Sequence, residues 1–103
     1  MSTEQKPTSQ SAGKVLDVLR VLLGHFTHGL MPGDLAKLTG HDNSSITRYI
    51  NTLEEKGFAE RIEETGRIRP SREFARYAVA ILRDLDAASA SLERLKTSLG
   101  GRP

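Results

Sequence analysis

Ser44, Thr47, Arg48 and Asn51 fall at helical spacing within TGHDNSSITRYINTLEEKGF (residues 39–58), and Ile46, Ile50 and Leu53 occupy the opposite positions. The apolar set is the side by which a helix is held in a fold. The polar set suits the edges of base pairs. Arginine can read guanine and asparagine can read adenine, each through two hydrogen bonds. Short hydroxyls let a backbone approach a duplex and bond phosphate or base edges. Lys and Glu, which usually populate a solvated helix face, are missing from this one. Downstream, Arg61, Arg67, Arg69, Arg72 and Arg76 fall within one short stretch. Concentrated arginine suits a phosphate footprint, because each neutralised phosphate releases counterions. A solvated charged face accounts for the arginines alone equally well.

These side chains need elements to position them. A chain of 103 residues with 37% hydrophobic and 27% charged content is expected to form one small globular domain with tails. Residues 1–11 read as a disordered tail of Ser, Thr, Gln and Pro. A first helix is predicted over residues 12–25, with Val15, Leu19, Leu22 and Phe26 as its buried stripe and Leu16 and Leu23 widening it. A short second helix is predicted over residues 32–39. Pro32 suits its first position, Asp34 its positive end and Gly40 its stop, while Leu35, Ala36 and Leu38 face inward. A third is predicted over residues 43–56, capped by Asp42 or Asn43 and ended by Gly57.

FAERIEETGRIRP then changes period and reads as a β-hairpin. A three-residue loop, Glu64-Thr65-Gly66, pairs Ile62 with Ile68 and Glu63 with Arg67, and puts Gly66 where a left-handed conformation is needed. In that register Arg61 faces Arg69, a repulsive pair that phosphate or a neighbouring carboxylate would have to neutralise. Residues 71–99 read as one long helix. Phe74, Ala78, Ile81, Leu85, Ala88, Leu92, Leu95 and Leu99 alternate steps of four and three, the period of a two-helix seam, and a second copy of the chain is the simplest partner. Residues 100–103 read as a tail.

Other chemistry is poorly represented. With no cysteine, disulfides and thiolate metal sites are excluded. His25 and His28 have a spacing compatible with a metal but no evident third ligand. His41, at the turn before the third helix, is placed to touch phosphate. Glu54-Glu55 and Glu63-Glu64 lack a nucleophile and a pocket, so no catalysis is assigned. Tyr49 and Phe58 read as core rather than as base-stacking residues. No cofactor or metal is expected. No secretory signal or membrane-length apolar run is present, and a cytoplasmic, nucleoid-associated protein is expected.

Helix, short helix, glycine turn, helix and hairpin is the order of a winged helix-turn-helix, with Ala36 at the close helix crossing, Gly40 in the turn, and Ile46 and Tyr49 closing the packing. From residue 11 to 70 the chain resembles the DNA-binding domain of the isocitrate-lyase-regulator (IclR) family of bacterial transcription factors. The likeness rests on KVLDVLRVL, DLAKLTG, SSITRYINTLEEKGF and the wing ETGRIRP. In that family the serine pair, the arginine and the residue before it lie at the DNA, which implies that role for Ser44, Ser45, Thr47 and Arg48. The chain departs from the pattern at Met31, where Ser or Thr is usual, at His41-Asp42-Asn43, and at Arg69-Pro70. A heptad helix stands where the family carries an effector domain, so ligand sensing is not carried over.

The expected fold is mainly α with a small β-hairpin: a winged helix-turn-helix (residues 12–70) plus a long C-terminal dimerisation helix (71–99). The expected function is sequence-specific binding of double-stranded DNA by a homodimeric transcriptional regulator, stand-alone and phage- or mobile-element-encoded, without a small-molecule effector. The expected contacts are Asn43, Ser44, Ser45, Thr47, Arg48 and Asn51 on the third helix, and Arg61, Thr65, Arg67 and Arg69 on the wing, reaching backbone or minor groove. Two alternatives remain: an accessory of replication, recombination or transposition using the same residues, and a winged helix serving as a protein-interaction module.

Overall fold

The computed structural model describes residues 6–100. Of the tails expected at residues 1–11 and 100–103, residues 1–5 and 101–103 lie outside the described residues, and Gly100 belongs to the last helix. The elements run α1 (Gln10–Leu22), α2 (Pro32–Thr39), α3 (Asn43–Glu55), β1 (Ala59–Arg61), β2 (Ile68–Pro70) and α4 (Arg72–Gly100). This is a winged helix-turn-helix followed by a long helix. α1 starts at Gln10 rather than residue 12, because the Ser9 hydroxyl accepts the Ala12 amide at 3.1 Å and caps it.

α1, α2 and α3 pack around Val18, Leu22, Leu35, Ile46, Ile50 and Leu53, all buried. The expected α1 stripe holds at Val15, Leu19 and Leu22, but its flanking side is Val18 and Val21 and not Leu16, Leu23 and Phe26. Val18 and Leu22 are buried and Val15, Leu19 and Val21 pack beside them, while Leu16, Leu23 and Phe26 are exposed. On α2, Leu35 is buried and Leu38 is exposed. α2 has no side-chain cap from Met31; the Asp34 carboxylate accepts the Met31 amide at 3.2 Å instead.

The hairpin register differs from expectation by one residue. Ala59 pairs with Pro70, Glu60 with Arg69 and Arg61 with Ile68. Ile62 therefore stands opposite Arg67, donating its amide to the Arg67 carbonyl at 2.8 Å, and residues 63–66 form the loop. Its carbonyl accepts the Thr65 and Gly66 amides at 3.2 and 2.7 Å, with Gly66 at φ 76°. The physical reason lies in the core. Ile68 is fully buried and exchanges both backbone hydrogen bonds with Leu30, each 2.8 Å, as a third strand position. Gly29 makes that approach possible: at φ 72°, a Cβ there would lie 2.5 Å from the Ile68 carbonyl oxygen. The observed register also sets Glu60 against Arg69, so the like-charged pairing of Arg61 with Arg69 does not occur.

Ser71 joins the wing to α4. It is 5% exposed, donates to the Gly57 carbonyl at 2.6 Å and accepts the Phe74 amide at 2.9 Å. Ser71→Ala removes a helix cap and leaves a carbonyl and an amide without their partner. It is expected to cost about 2 kcal/mol, read as a lower denaturation midpoint with an unchanged denaturant slope. Phe74 meets Phe58 edge-on at 5.5 Å, and none of the 29 residues of α4 is buried. Leu85 and Leu92 are 60% and 54% exposed, and Tyr77, Val79 and Leu82 add exposed apolar surface beside the seam.

Candidate nucleic-acid interface

The sequence makes α3 a two-sided helix. Ile46, Tyr49, Ile50 and Leu53 are buried, and Asn43, Ser44, Thr47, Arg48, Asn51 and Thr52 are exposed. Thr52, which the sequence reading omitted, continues the outward face; its step of four from Arg48 was the available signal. No carboxylate interrupts α3 between Asn43 and Thr52. Asp42 stands at the start, occupied as the cap. It accepts the Ser45 amide at 2.8 Å and the Ser44 hydroxyl at 3.0 Å, and the Ser45 amide is the main cause that holds its carboxyl below the ordinary range. Ser44 is thereby positioned at the N-terminal end of the exposed face.

Arg48 is pre-arranged along the helix. Its Nη2 donates to the half-buried Ser45 hydroxyl at 3.3 Å, and its guanidinium lies 5.7 Å from the Tyr49 ring centre. The remaining N–H groups of this five-donor fork are not engaged by other described residues. Thr47 and Thr52 return their hydroxyls to the Asn43 and Arg48 carbonyls at 3.1 and 3.0 Å, leaving acceptor lone pairs available.

The turn that aims α3 is fixed from two sides. Gly40 closes α2 at φ 79°. His41 does not stand free for phosphate. Its Nε2 lies 3.3 Å from an Asp17 carboxylate oxygen on α1, and its ring meets Tyr49 edge-on at 5.6 Å. The residue therefore ties α1 to the start of α3.

The wing arginines are held inside the chain. Arg67 donates its Nε to the His28 and Gly29 carbonyls at 3.1 and 3.3 Å, clamping the hairpin onto the loop before Leu30. Arg69 bonds Glu60 at 2.8 Å, both side chains only 22% exposed, and lies 5.4 Å from the Phe26 ring centre. Arg61 reaches the Gly66 carbonyl at 3.2 Å. At the tip, Thr65 accepts the Arg67 amide at 3.2 Å beside exposed Glu63 and Glu64. The structure thus brings the α3 residues onto one exposed face and pairs Arg69 with a carboxylate, while Arg67 is braced through Nε on neutral carbonyls and, among the described residues, keeps its charge unpaired.

Glu60 is the anchor of this wing. Burial pushes its carboxyl up, but the Arg72 amide and the guanidinium groups of Arg69 and Arg72 outweigh that and leave it below its ordinary value. A carboxylate depressed by folding stabilises the protein above its unfolded value, and that contribution is lost as pH falls through the folded one. Glu60→Gln should therefore be less stable than wild type at neutral pH and lose less stability on acidification, as read by thermal melts across the acid range.

Among the described residues no group of three His, Asp or Glu is placed to hold a metal, and no helix is long and apolar enough to cross a membrane. The profile of the IclR helix-turn-helix domain matches residues 11–63. The crystal structure of Pseudomonas aeruginosa HmgR superposes with a TM-score of 0.64 at 29% identity, covering 88% of this chain and 38% of that one. An IclR family transcriptional regulator from Brucella abortus gives 0.61 at 22% identity, covering 82% of this chain and 33% of that one, and supports the fold alone. No curated protein sequence matches. The chain thus spans 38% and 33% of the lengths of these two solved structures.

Proposed function

Because the chain belongs to the IclR helix-turn-helix family, we propose that it is a sequence-specific, double-stranded DNA-binding transcriptional regulator that acts by occupying an operator. The observation that carries this reading is the outward face of α3: exposed, free of carboxylates, and backed by Ile46, Ile50 and Leu53 at 2% exposure or less. A helix held so firmly on one side presents the other without losing its position. Inserted in a major groove, Arg48 would read guanine and Asn51 adenine, with Asn43, Ser44, Ser45 and Thr47 on phosphate or neighbouring base edges. Thr65, Arg61 and Arg67 are the wing groups that would meet adjacent backbone, Arg61 in competition with Glu54 at 4.0 Å, while Arg69 is held by Glu60.

The second part of the proposal is a homodimer formed through α4, from Phe74 to Leu99. The uncovered stripe at Ile81, Leu85, Leu92, Leu95 and Leu99 supports it, since an exposed apolar band of this length favours association. Genome-wide mapping of bound sites tests the regulatory reading. Occupancy concentrated at promoters is the expected result. Occupancy confined to replication origins or the ends of mobile segments would instead make the protein a recombination or replication accessory with the same DNA-reading face.

A further inference from the structure

On the wing, Arg69 is paired with Glu60 and Arg61 lies 4.0 Å from Glu54, so Arg67 is the wing cation without a carboxylate partner among the described residues; Lys14, on α1, is a second such cation. One groove lies between the first turn of α1 and the exposed side of α3, lined by Ser11, Lys14, Arg48, Asn51 and Thr52 among others. Lys14 and Arg48 bring two cations to it, and no carboxylate lines it. Lys14 is exposed and, among the described residues, forms no salt bridge; Asp17, one turn further along α1, is turned to His41. The groove beside the wing is the opposite case, since Glu60, Glu63 and Glu64 line it alongside Arg61, Arg69 and Arg72. A polyanion lying along α3 would meet carboxylates and arginines in balance on that side and unneutralised positive charge on this one.

We propose that the groove between α1 and α3 is a seat for the DNA backbone, with Lys14 neutralising a phosphate next to the base pair that Arg48 reads. This rests on the DNA-binding reading of α3 and adds a contact that the helix-turn-helix and wing alone do not supply. Arg48 sits at the junction: its fork faces base edges while its charge adds to that of Lys14. A phosphate held by Lys14 fixes how deeply α3 enters the groove but reads no sequence.

The test is the salt dependence of binding to two unrelated short duplexes, for wild type, Lys14→Ala, Lys14→Arg and, as a control for general charge, Lys96→Ala. Lys96 lies far along α4, 3.7 Å from Glu93. Losing one phosphate contact should lower the slope of log K against log salt by about 0.9 and weaken both duplexes by a similar factor. Lys14→Arg should retain the wild-type slope, and Lys96→Ala should leave it unchanged. A wild-type slope in Lys14→Ala, or an equal loss in Lys96→Ala, overturns the backbone seat while leaving the α3 reading intact. A wild type whose duplex binding lacks any salt slope overturns the DNA-binding reading itself, and the seat with it.

Discussion

Replacing Leu85 and Leu92 together with Lys is expected to give a folded monomer whose affinity for its operator falls by about two to four orders of magnitude, the avidity that a second half-site supplies. The fold should survive because both side chains are already more than half exposed in the single chain, so the substitution removes little packing within it. The dimer should not survive. In a two-helix seam each lysine would lie against its counterpart without a partner charge, and burying an unpaired ammonium costs several kcal/mol even after relaxation. Circular dichroism would report the retained fold and sedimentation velocity the assembly. A wild-type protein that sediments as a monomer at micromolar concentration contradicts the seam outright.

Arg48→Ala should cost about 1 to 3 kcal/mol on the selected site, a loss of roughly one to two orders of magnitude in affinity, and should relax discrimination at one base pair. The prediction follows from geometry as well as residue type. Arg48 lies 3.3 Å from the Ser45 hydroxyl and 5.7 Å from the Tyr49 ring centre, so its head is directed along the exposed face of α3 and its other N–H groups remain for a base. Competition titrations against substituted sites would measure it. An equal loss on selected and random duplexes would make Arg48 a phosphate contact, not a reader of sequence.

The reading half of this interface was legible because it depends on local rules. Pro32 and Gly40 bracket α2, and the Asp42 cap and Gly57 stop bracket α3, where the structure has them to within a residue. Alternation of polar and apolar positions along α3 then separates its two faces without ambiguity. On α1 the same rule places Val15, Leu19 and Leu22 correctly but not the rest of the stripe, because apolar residues are dense enough to widen it on either side. Period alone cannot choose Val18 over Leu16; only contact with α2 and α3 does.

The wing was misread for a different reason. Matching apolar partners favours Ile62 opposite Ile68, but the register is set by Leu30, thirty-eight positions before Ile68, which pairs with its backbone. Such a pairing leaves no periodic trace in the sequence. Once it is made, Glu60 falls opposite Arg69, and the His28 and Gly29 carbonyls fall within reach of Arg67. Two of the arginines that look in the sequence like a phosphate footprint, Arg67 and Arg69, also brace the hairpin. Lys14 was passed over because its connection to Arg48 lies across two helices.

The most direct measurement is selection of bound duplexes from a random-sequence pool by the wild-type protein. Sequence-specific reading by two copies of α3 predicts enrichment of an inverted repeat whose half-site centres lie about 34 Å apart, or a multiple of that distance. A recovered pool indistinguishable from the input would contradict the account.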